Sequence, residues 1–199
     1  MSERKRLAEA RLPTEWGEFR AIAFGREGAK EPHVALVSRV RPEPADGHVH
    51  VRIHSECMTG DTFGSIRCDC GPQLHAALEA LGAEGGVLVY LRQEGRGIGL
   101  VEKLKAYALQ DKGLDTVEAN VALGHAVDAR TYDDAVWILG ELSLDRVRLW
   151  TNNPDKVAAL ERAGISTQVQ PLELQPGPEN DRYMRTKRDV LGHWLRSFS

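Results

Sequence analysis

All three cysteines of this chain, Cys57, Cys68 and Cys70, fall within fourteen residues. Cys68-Asp69-Cys70 is a close pair from one turn, and Cys57 stands eleven residues earlier, where a strand-like run ends. Any fold that uses the thiols as a set must return that turn to the end of that strand. Three thiolates hold a zinc ion and leave its fourth tetrahedral position open, as in a catalytic site, whereas a structural site is normally closed by a fourth protein ligand. Two plainer readings compete: the thiols are incidental, or His54 or His75 closes a structural site. The spacing matches neither the Cys-x-x-Cys of zinc ribbons nor a thioredoxin-like redox pair.

An odd cysteine count, with no apolar h-region in Met1-Ser2-Glu3-Arg4-Lys5-Arg6-Leu7, points to a reducing, cytoplasmic setting. There the cluster reads as metal-binding or catalytic more readily than as a disulfide framework. A net charge of −3 counts against a nucleic-acid-coating protein. No apolar run approaches the ~20 residues of a membrane span. At 199 residues, one domain with one sizeable core is the expectation.

The periodicity predicts strands near Trp16–Phe24, Val34–Val40 and His48–His54, with the cysteines after the third and Thr59-Gly60-Asp61 as a turn. Leu74, Ala77, Leu78 and Leu81 place a helix over Gln73–Ala83. Val87–Leu91 is a continuous apolar run, the mark of a buried central strand. Helices are expected over Leu100–Gln110, Val117–Ala126, Asp133–Leu142 and Pro154–Ala163, with strands at Val147–Trp150 and Ile165–Val169. Gln170–Asn180 reads as a loop and Arg182–Leu195 as a basic helix. The class is α/β (α+β): a mixed sheet with flanking helices and a zinc site after an N-terminal strand region.

Two further stretches carry possible anion chemistry. Glu94-Gly95-Arg96-Gly97-Ile98-Gly99 joins a strand to a helix, with small residues, a helix N-terminus and a cation. Its glycine spacing fits neither a Walker motif nor a dinucleotide fingerprint, and an ordinary strand-to-helix turn explains it as well. Thr151-Asn152-Asn153-Pro154-Asp155-Lys156 also sits where a strand gives way to a helix, with an N-cap turn and a solvated lysine as the plain alternative. Two anion sites beside one zinc would suit a phosphorylated substrate.

These residues resemble GTP cyclohydrolase II, the family that opens riboflavin biosynthesis. The resemblance runs from Leu12 to about Lys187, leaving a tail over 188–199. It is carried by Arg52-x-His54-Ser55-Glu56-Cys57-x-Thr59-Gly60-Asp61, Arg67-Cys68-Asp69-Cys70-Gly71-x-Gln73-Leu74, Arg92–Leu100, Asp115–Asn120 and Thr151-Asn152-Asn153-Pro154-x-Lys156. It implies a homodimeric hydrolase that converts GTP and water to 2,5-diamino-6-ribosylamino-4(3H)-pyrimidinone 5′-phosphate, formate and pyrophosphate, with zinc and magnesium. It further implies the cyclohydrolase part alone, without the fusion partner that makes dihydroxybutanone phosphate.

Carried over by the resemblance, Cys57, Cys68 and Cys70 are the zinc ligands. Arg52, Ile53, His54, Ser55, Glu56, Gln73, Glu94, Gly95, Arg96, Thr116, Thr151 and Lys156 fall on nucleotide-contacting positions. Asp128 falls on the general base, Arg130 on the nucleophile for the α-phosphate, and Tyr107 on the tyrosine tied to ring opening. From the residues alone, Asp128 and Arg130 would be a surface pair near a helix start. A guanidinium stays protonated at ordinary pH, so a phosphate-stabilising Arg130 with water as nucleophile competes with the nucleophile role.

Two other classes stand as alternatives. His54-Ser55-Glu56 imitates the His-x-Glu of zinc deaminases, but Cys68-Asp69-Cys70 lacks the matching Pro-Cys-x-x-Cys. A non-enzymatic zinc module would need a fourth protein ligand, and aromatic stacking clusters for nucleic acid are absent from the sequence.

Overall fold

The computed structural model describes residues 3–41, 44, 46–126, 128–175 and 177–195. Seven strands form one mixed sheet in the order β1-β2-β3-β5-β4-β6-β7. They are β1 (Arg4–Thr14), β2 (Gly17–Arg26), β3 (His33–Ser38), β4 (Val49–Ser55), β5 (Val87–Leu91), β6 (Arg146–Trp150) and β7 (Ser166–Gln170). β1, β2, β3 and β5 pair antiparallel in succession, and β4, β6 and β7 pair parallel. The helices are α1 (Met58–Asp61), α2 (Cys70–Glu84), α3 (Leu100–Gln110), α4 (Thr116–Ala122), α5 (Asp133–Glu141), α6 (Pro154–Arg162) and α7 (Asp181–Asp189). The expected mixed α/β class is what the chain adopts.

The contacts divide the chain into two compact units. The sheet unit comprises Met1–His54, Leu74–Arg92 and Tyr132–Leu172; the helical unit comprises Ser55–Gln73, Gln93–Thr131 and Glu173–Ser199. In the sheet unit, successive side chains of β5 point to opposite faces. Val87, Val89 and Leu91 join a cluster with Ile138 and Leu139 of α5 and Leu160 of α6, and Leu88 joins another with Leu78 and Leu81 of α2. Both faces being covered explains why β5 is apolar throughout rather than alternating. In the helical unit α3 packs on α4, and α4 on α7.

The structure departs from expectation at four places. β1 escaped prediction because nine of its eleven positions are exposed, so no alternation marks it; it is a charged edge strand whose strand pairing is with β2. Thr59-Gly60-Asp61 is part of a helical turn, with Asp61 N–H donating to Cys57 O at 2.7 Å. α2 begins at Cys70, three residues before the expected start at Gln73, with Pro72 in its first turn, where no intrahelical N–H is required. The basic C-terminal helix ends at Asp189 rather than Leu195, and residues 196–199 of the expected tail lie outside the described residues.

Candidate active site

The three thiols converge within the helical unit. Their sulfurs lie within 4.8 Å of one another, and Cys57 Sγ stands 3.6 Å from Cys68 Sγ. Cys57 sits at the entry to α1, where its N–H donates to Asp61 Oδ2 at 2.9 Å. Cys68 lies in the turn before α2, and Cys70 opens that helix. Two glycines make the approach possible. A Cβ on Gly60 would lie 3.0 Å from Cys68 Sγ and 3.2 Å from Cys57 Sγ, and one on Gly71 would meet Gly60 O at 2.4 Å.

Proton sharing shows the cluster's electrostatics. Hydrogen bonds from Cys68 and then Cys70 hold the Cys57 thiol well below its ordinary pKa. The same bonds push Cys68 up to about 11 and Cys70 up as well. Three convergent sulfurs are a donor set suited to a soft divalent cation, whose binding displaces the thiol protons. Lys103 Nζ donates to Cys57 Sγ at 3.0 Å and to Glu94 Oε1 at 2.7 Å. Burial opposes its charge, but the Cys57 thiolate and Glu94 raise its pKa overall. Zinc therefore fits the residues present. Among the described residues the metal-capable group contains no histidine. His54 stacks on Tyr90 and His75 on Trp16 instead, with ring centroids 5.5 and 5.2 Å apart.

The glycine-rich stretch forms a tight, kinked turn over Glu94–Gly97, with both Gly95 and Arg96 left-handed. Glu94 is fixed from three sides, by Met58 N–H and Gly95 N–H at 2.6 Å each and by Lys103. Arg96 adopts φ 59°, ψ 35°, a left-handed conformation that costs a side-chain-bearing residue of order 1 kcal/mol or more. Its carbonyl accepts from Ala129 N–H at 3.1 Å, which clips the turn to the segment carrying Asp128 and Arg130. Among the described residues, the buried Arg96 Nη1 finds no hydrogen-bond partner. A strained cation with an unanswered donor is suited to an anionic group.

Arg130 grips Asp128 through Nε, at 2.9 and 3.1 Å from the two carboxylate oxygens, and through Nη2 to Oδ2. Burial pushes Asp128 up, but these bonds override it and hold the carboxyl below its ordinary range. The pair is thus a part-buried clamp, not the surface pair that the residues alone suggested. Thr116 opens α4 behind a reciprocal capping box, in which Asp115 Oδ1 accepts from Glu118 N–H and Asp115 N–H donates to Glu118, both at 2.8 Å. Tyr107 OH lies 3.5 Å from Thr59 Oγ1, and burial pushes the phenol up to about 12.

One cavity of the helical unit is lined by the three cysteines, Ser55, Glu56, Glu94, Gly95, Arg96, Tyr107, Thr116 and Arg130. The structure therefore gathers most of the expected residues of that unit. Gln73 is not in this lining; its amide donates to Asp69 Oδ2 at 2.6 Å. Arg52, Ile53, His54, Thr151 and Lys156 belong to the sheet unit. There Arg52 Nη1 donates to Trp150 O at 2.8 Å, and Lys156 Nζ donates to Ile53 O at 2.7 Å. Lys156 is buried, so the solvated lysine of the plain reading is not found. The N-cap turn is: Asn153 Oδ1 accepts from Asp155 N–H at 2.9 Å, and Thr151 Oγ1 from Asn153 N–H at 3.0 Å.

Lys103, Arg67, Asn120 and Tyr183 also line the cavity and were not anticipated. The i, i+4 spacing of Lys103 and Tyr107 on the predicted helix Leu100–Gln110 was the available signal for Lys103. Tyr183 lies 113 residues beyond Cys70, with no pattern joining the two.

The family model described as GTP cyclohydrolase II matches residues 4–170. The chain is 54% identical over 192 residues to GTP cyclohydrolase-2 of Neisseria meningitidis serogroup A / serotype 4A, covering 95% of each chain. It is 51% identical over 196 residues to riboflavin biosynthesis protein RibBA of Bacillus subtilis (strain 168), covering 96% of this chain and 48% of that protein. The chain thus spans about half the length of the RibBA relatives it matches.

Proposed function

The chain belongs to the GTP cyclohydrolase II family, and from that premise we propose that it hydrolyses GTP to 2,5-diamino-6-ribosylamino-4(3H)-pyrimidinone 5′-phosphate, formate and pyrophosphate in riboflavin biosynthesis. The observation that carries this reading is the convergence of three thiols, Arg96 and Arg130 on one cavity. Metal-ligating sulfurs and phosphate-seeking cations answer the two chemically different ends of a nucleoside triphosphate.

Cys57, Cys68 and Cys70 hold zinc in this reading, and the bound ion supplies Lewis acidity for hydrolysis at C8 of guanine. The chain's own groups do the rest. Glu94, pinned by two N–H groups and Lys103, offers a fixed carboxylate beside the thiols. Tyr107, protonated throughout the physiological range, serves as a hydrogen-bonding phenol during ring opening. Arg96 and Arg130 stabilise charge on the phosphates, together with magnesium on the triphosphate.

We assign Arg130 to α-phosphate stabilisation, with water as nucleophile. Its guanidinium is engaged by Asp128 on two nitrogens, which favours the protonated form. Asp128, with its pKa depressed, is a weak base and acts by orienting Arg130. Ser55, Glu56, Gly95, Thr116 and Gln73 are proposed to add nucleotide contacts in the helical unit; for the sheet-unit residues Arg52, Ile53, His54, Thr151 and Lys156 the same role rests on the family resemblance alone. The whole 1–199 chain is proposed to act as one catalytic domain and to work as a homodimer. A cytoplasmic location suits an enzyme that needs three reduced thiols; no helix among the described residues is long and apolar enough to cross a membrane.

Incubation with GTP, zinc and magnesium, with products identified by mass, tests the reading. Formate and pyrophosphate in equal amounts are expected. Ammonia without formate would instead mark a deaminase and sink the proposal.

A further inference from the structure

α7 lies beyond residue 170, where the family match ends, yet its side chains reach both loops of the candidate site. Lys187 Nζ donates to Asp69 Oδ1 at 2.5 Å, and the two residues are only 9% and 4% exposed. Asp69 is the residue between Cys68 and Cys70. Its other oxygen accepts from Gln73 on the first turn of α2. One turn away on α7, Tyr183 takes the Lys187 ammonium over its ring at 4.9 Å and the Arg96 guanidinium at 5.6 Å. The same ring lines the cavity with the thiols.

Packing alone does not call for this arrangement. Met184, 2% exposed, already anchors α7 in the helical unit. A buried ion pair is often no more stabilising than well-packed apolar residues of the same volume, whereas leaving one partner unpaired is strongly destabilising. What the pair supplies is geometric definition. Asp69, between Cys68 and Cys70 in the chain, is held by Gln73 on one oxygen and by Lys187 on the other, so that α7 and the first turn of α2 together fix the turn that carries both thiols.

We propose that α7 is a positioning helix for the site: Lys187 holds the Cys68–Cys70 turn in metal-ready form through Asp69, and Tyr183 braces Arg96. The Lys187 half requires only a divalent metal at the thiols; the Tyr183 half rests on the GTP reading above.

The test uses the full-length zinc-loaded protein and its Lys187→Met, Lys187→Arg, Asp69→Asn and Asp69→Asn/Lys187→Met variants. Zinc transfer to a chromophoric chelator is timed, and the thiolate-to-metal charge-transfer band is recorded after cobalt substitution. Lys187→Met is expected to release zinc about 10-fold faster or more, the scale of losing a group that orients metal ligands, with an altered cobalt band. Lys187→Arg should stay within about threefold of the parent, since the charge is kept. The double variant should release zinc more slowly than Lys187→Met, because the buried carboxylate is removed together with its cation. Parental release and an unchanged cobalt band in Lys187→Met would overturn the Lys187 half. If that variant does not fold, parental release in Asp69→Asn does the same.

For the second half, Tyr183→Ala should weaken GTP binding roughly fivefold with zinc stoichiometry unchanged, and Tyr183→Phe should not. Equal GTP affinity in Tyr183→Ala overturns the brace. Absence of GTP binding by the parent overturns the family reading itself and leaves the Lys187 measurements to stand alone.

Discussion

The sheet unit and the helical unit place polar residues by opposite means. In the sheet unit Arg52 lies within β4, Thr151 just past β6 and Lys156 on α6; all three are buried, Arg52 and Lys156 donate to strand carbonyls, and Thr151 accepts from Asn153 N–H in the turn before α6. Their positions follow from a ladder that apolar burial already holds. In the helical unit the working groups sit on short turns: the entry to α1, the Cys68–Cys70 turn, Glu94–Gly97 and the segment at Asp128–Arg130. Side chains hold side chains there, Lys103 on Cys57 and Glu94, Arg130 on Asp128, Lys187 on Asp69. A ladder tolerates the loss of one polar group; a web of single contacts does not.

The largest effect is expected where the web has its fewest substitutes. Cys68→Ser should reduce zinc affinity by more than the roughly 10–100-fold that follows from losing a mere orienting partner, and formate release with it. Elemental analysis after dialysis checks this, and a full zinc complement would remove Cys68 as a ligand. Next comes Arg130→Ala, expected to retain zinc while pyrophosphate release falls by roughly 10²–10³-fold, the usual cost of one transition-state donor. Undiminished pyrophosphate release would take Arg130 out of the chemistry.

Damage to the sheet unit should look different. Leu139 on α5 is fully buried, so Leu139→Ala should lower stability by about 2–5 kcal/mol in denaturant melts. Folded protein should still carry its full zinc, and zinc loss in proportion to instability would erase the contrast between the units.

The smallest effect concerns Asp134 at the start of α5. Its carboxyl lies 3.2 Å from His33 Nε2 and 2.9 Å from Arg4 Nε. His33, against the opposing cost of burial, holds its pKa below the ordinary value. A depressed folded-state pKa contributes stability above the unfolded pKa of about 3.9 and loses it as pH falls through the folded value. The melting temperature of Asp134→Asn should therefore lie below the parent's near pH 7, and the gap should close below about pH 4. A gap that persists in acid would assign the loss to packing.

Legibility from sequence divided along the same line. β5, α2, α5 and α6 were readable because apolar burial writes a period into the chain, two for strands and 3.6 for helices. β1 was not, because an exposed edge strand leaves no such period. The thiol cluster was readable because three cysteines within fourteen residues show in residue type and spacing alone. The capping box at Asp115–Glu118 carried its own local signature as well.

By itself, then, the sequence determined the mixed α/β class, the clustering of Cys57, Cys68 and Cys70, and family membership, since each is written in local pattern or residue identity. Only the tertiary structure decided that Lys103 faces Cys57, that Arg96 is held left-handed, and that Lys187 meets Asp69 across 118 residues. Those are contacts of single side chains on separate turns. No periodicity encodes them, because their geometry exists only after the chain has closed on itself.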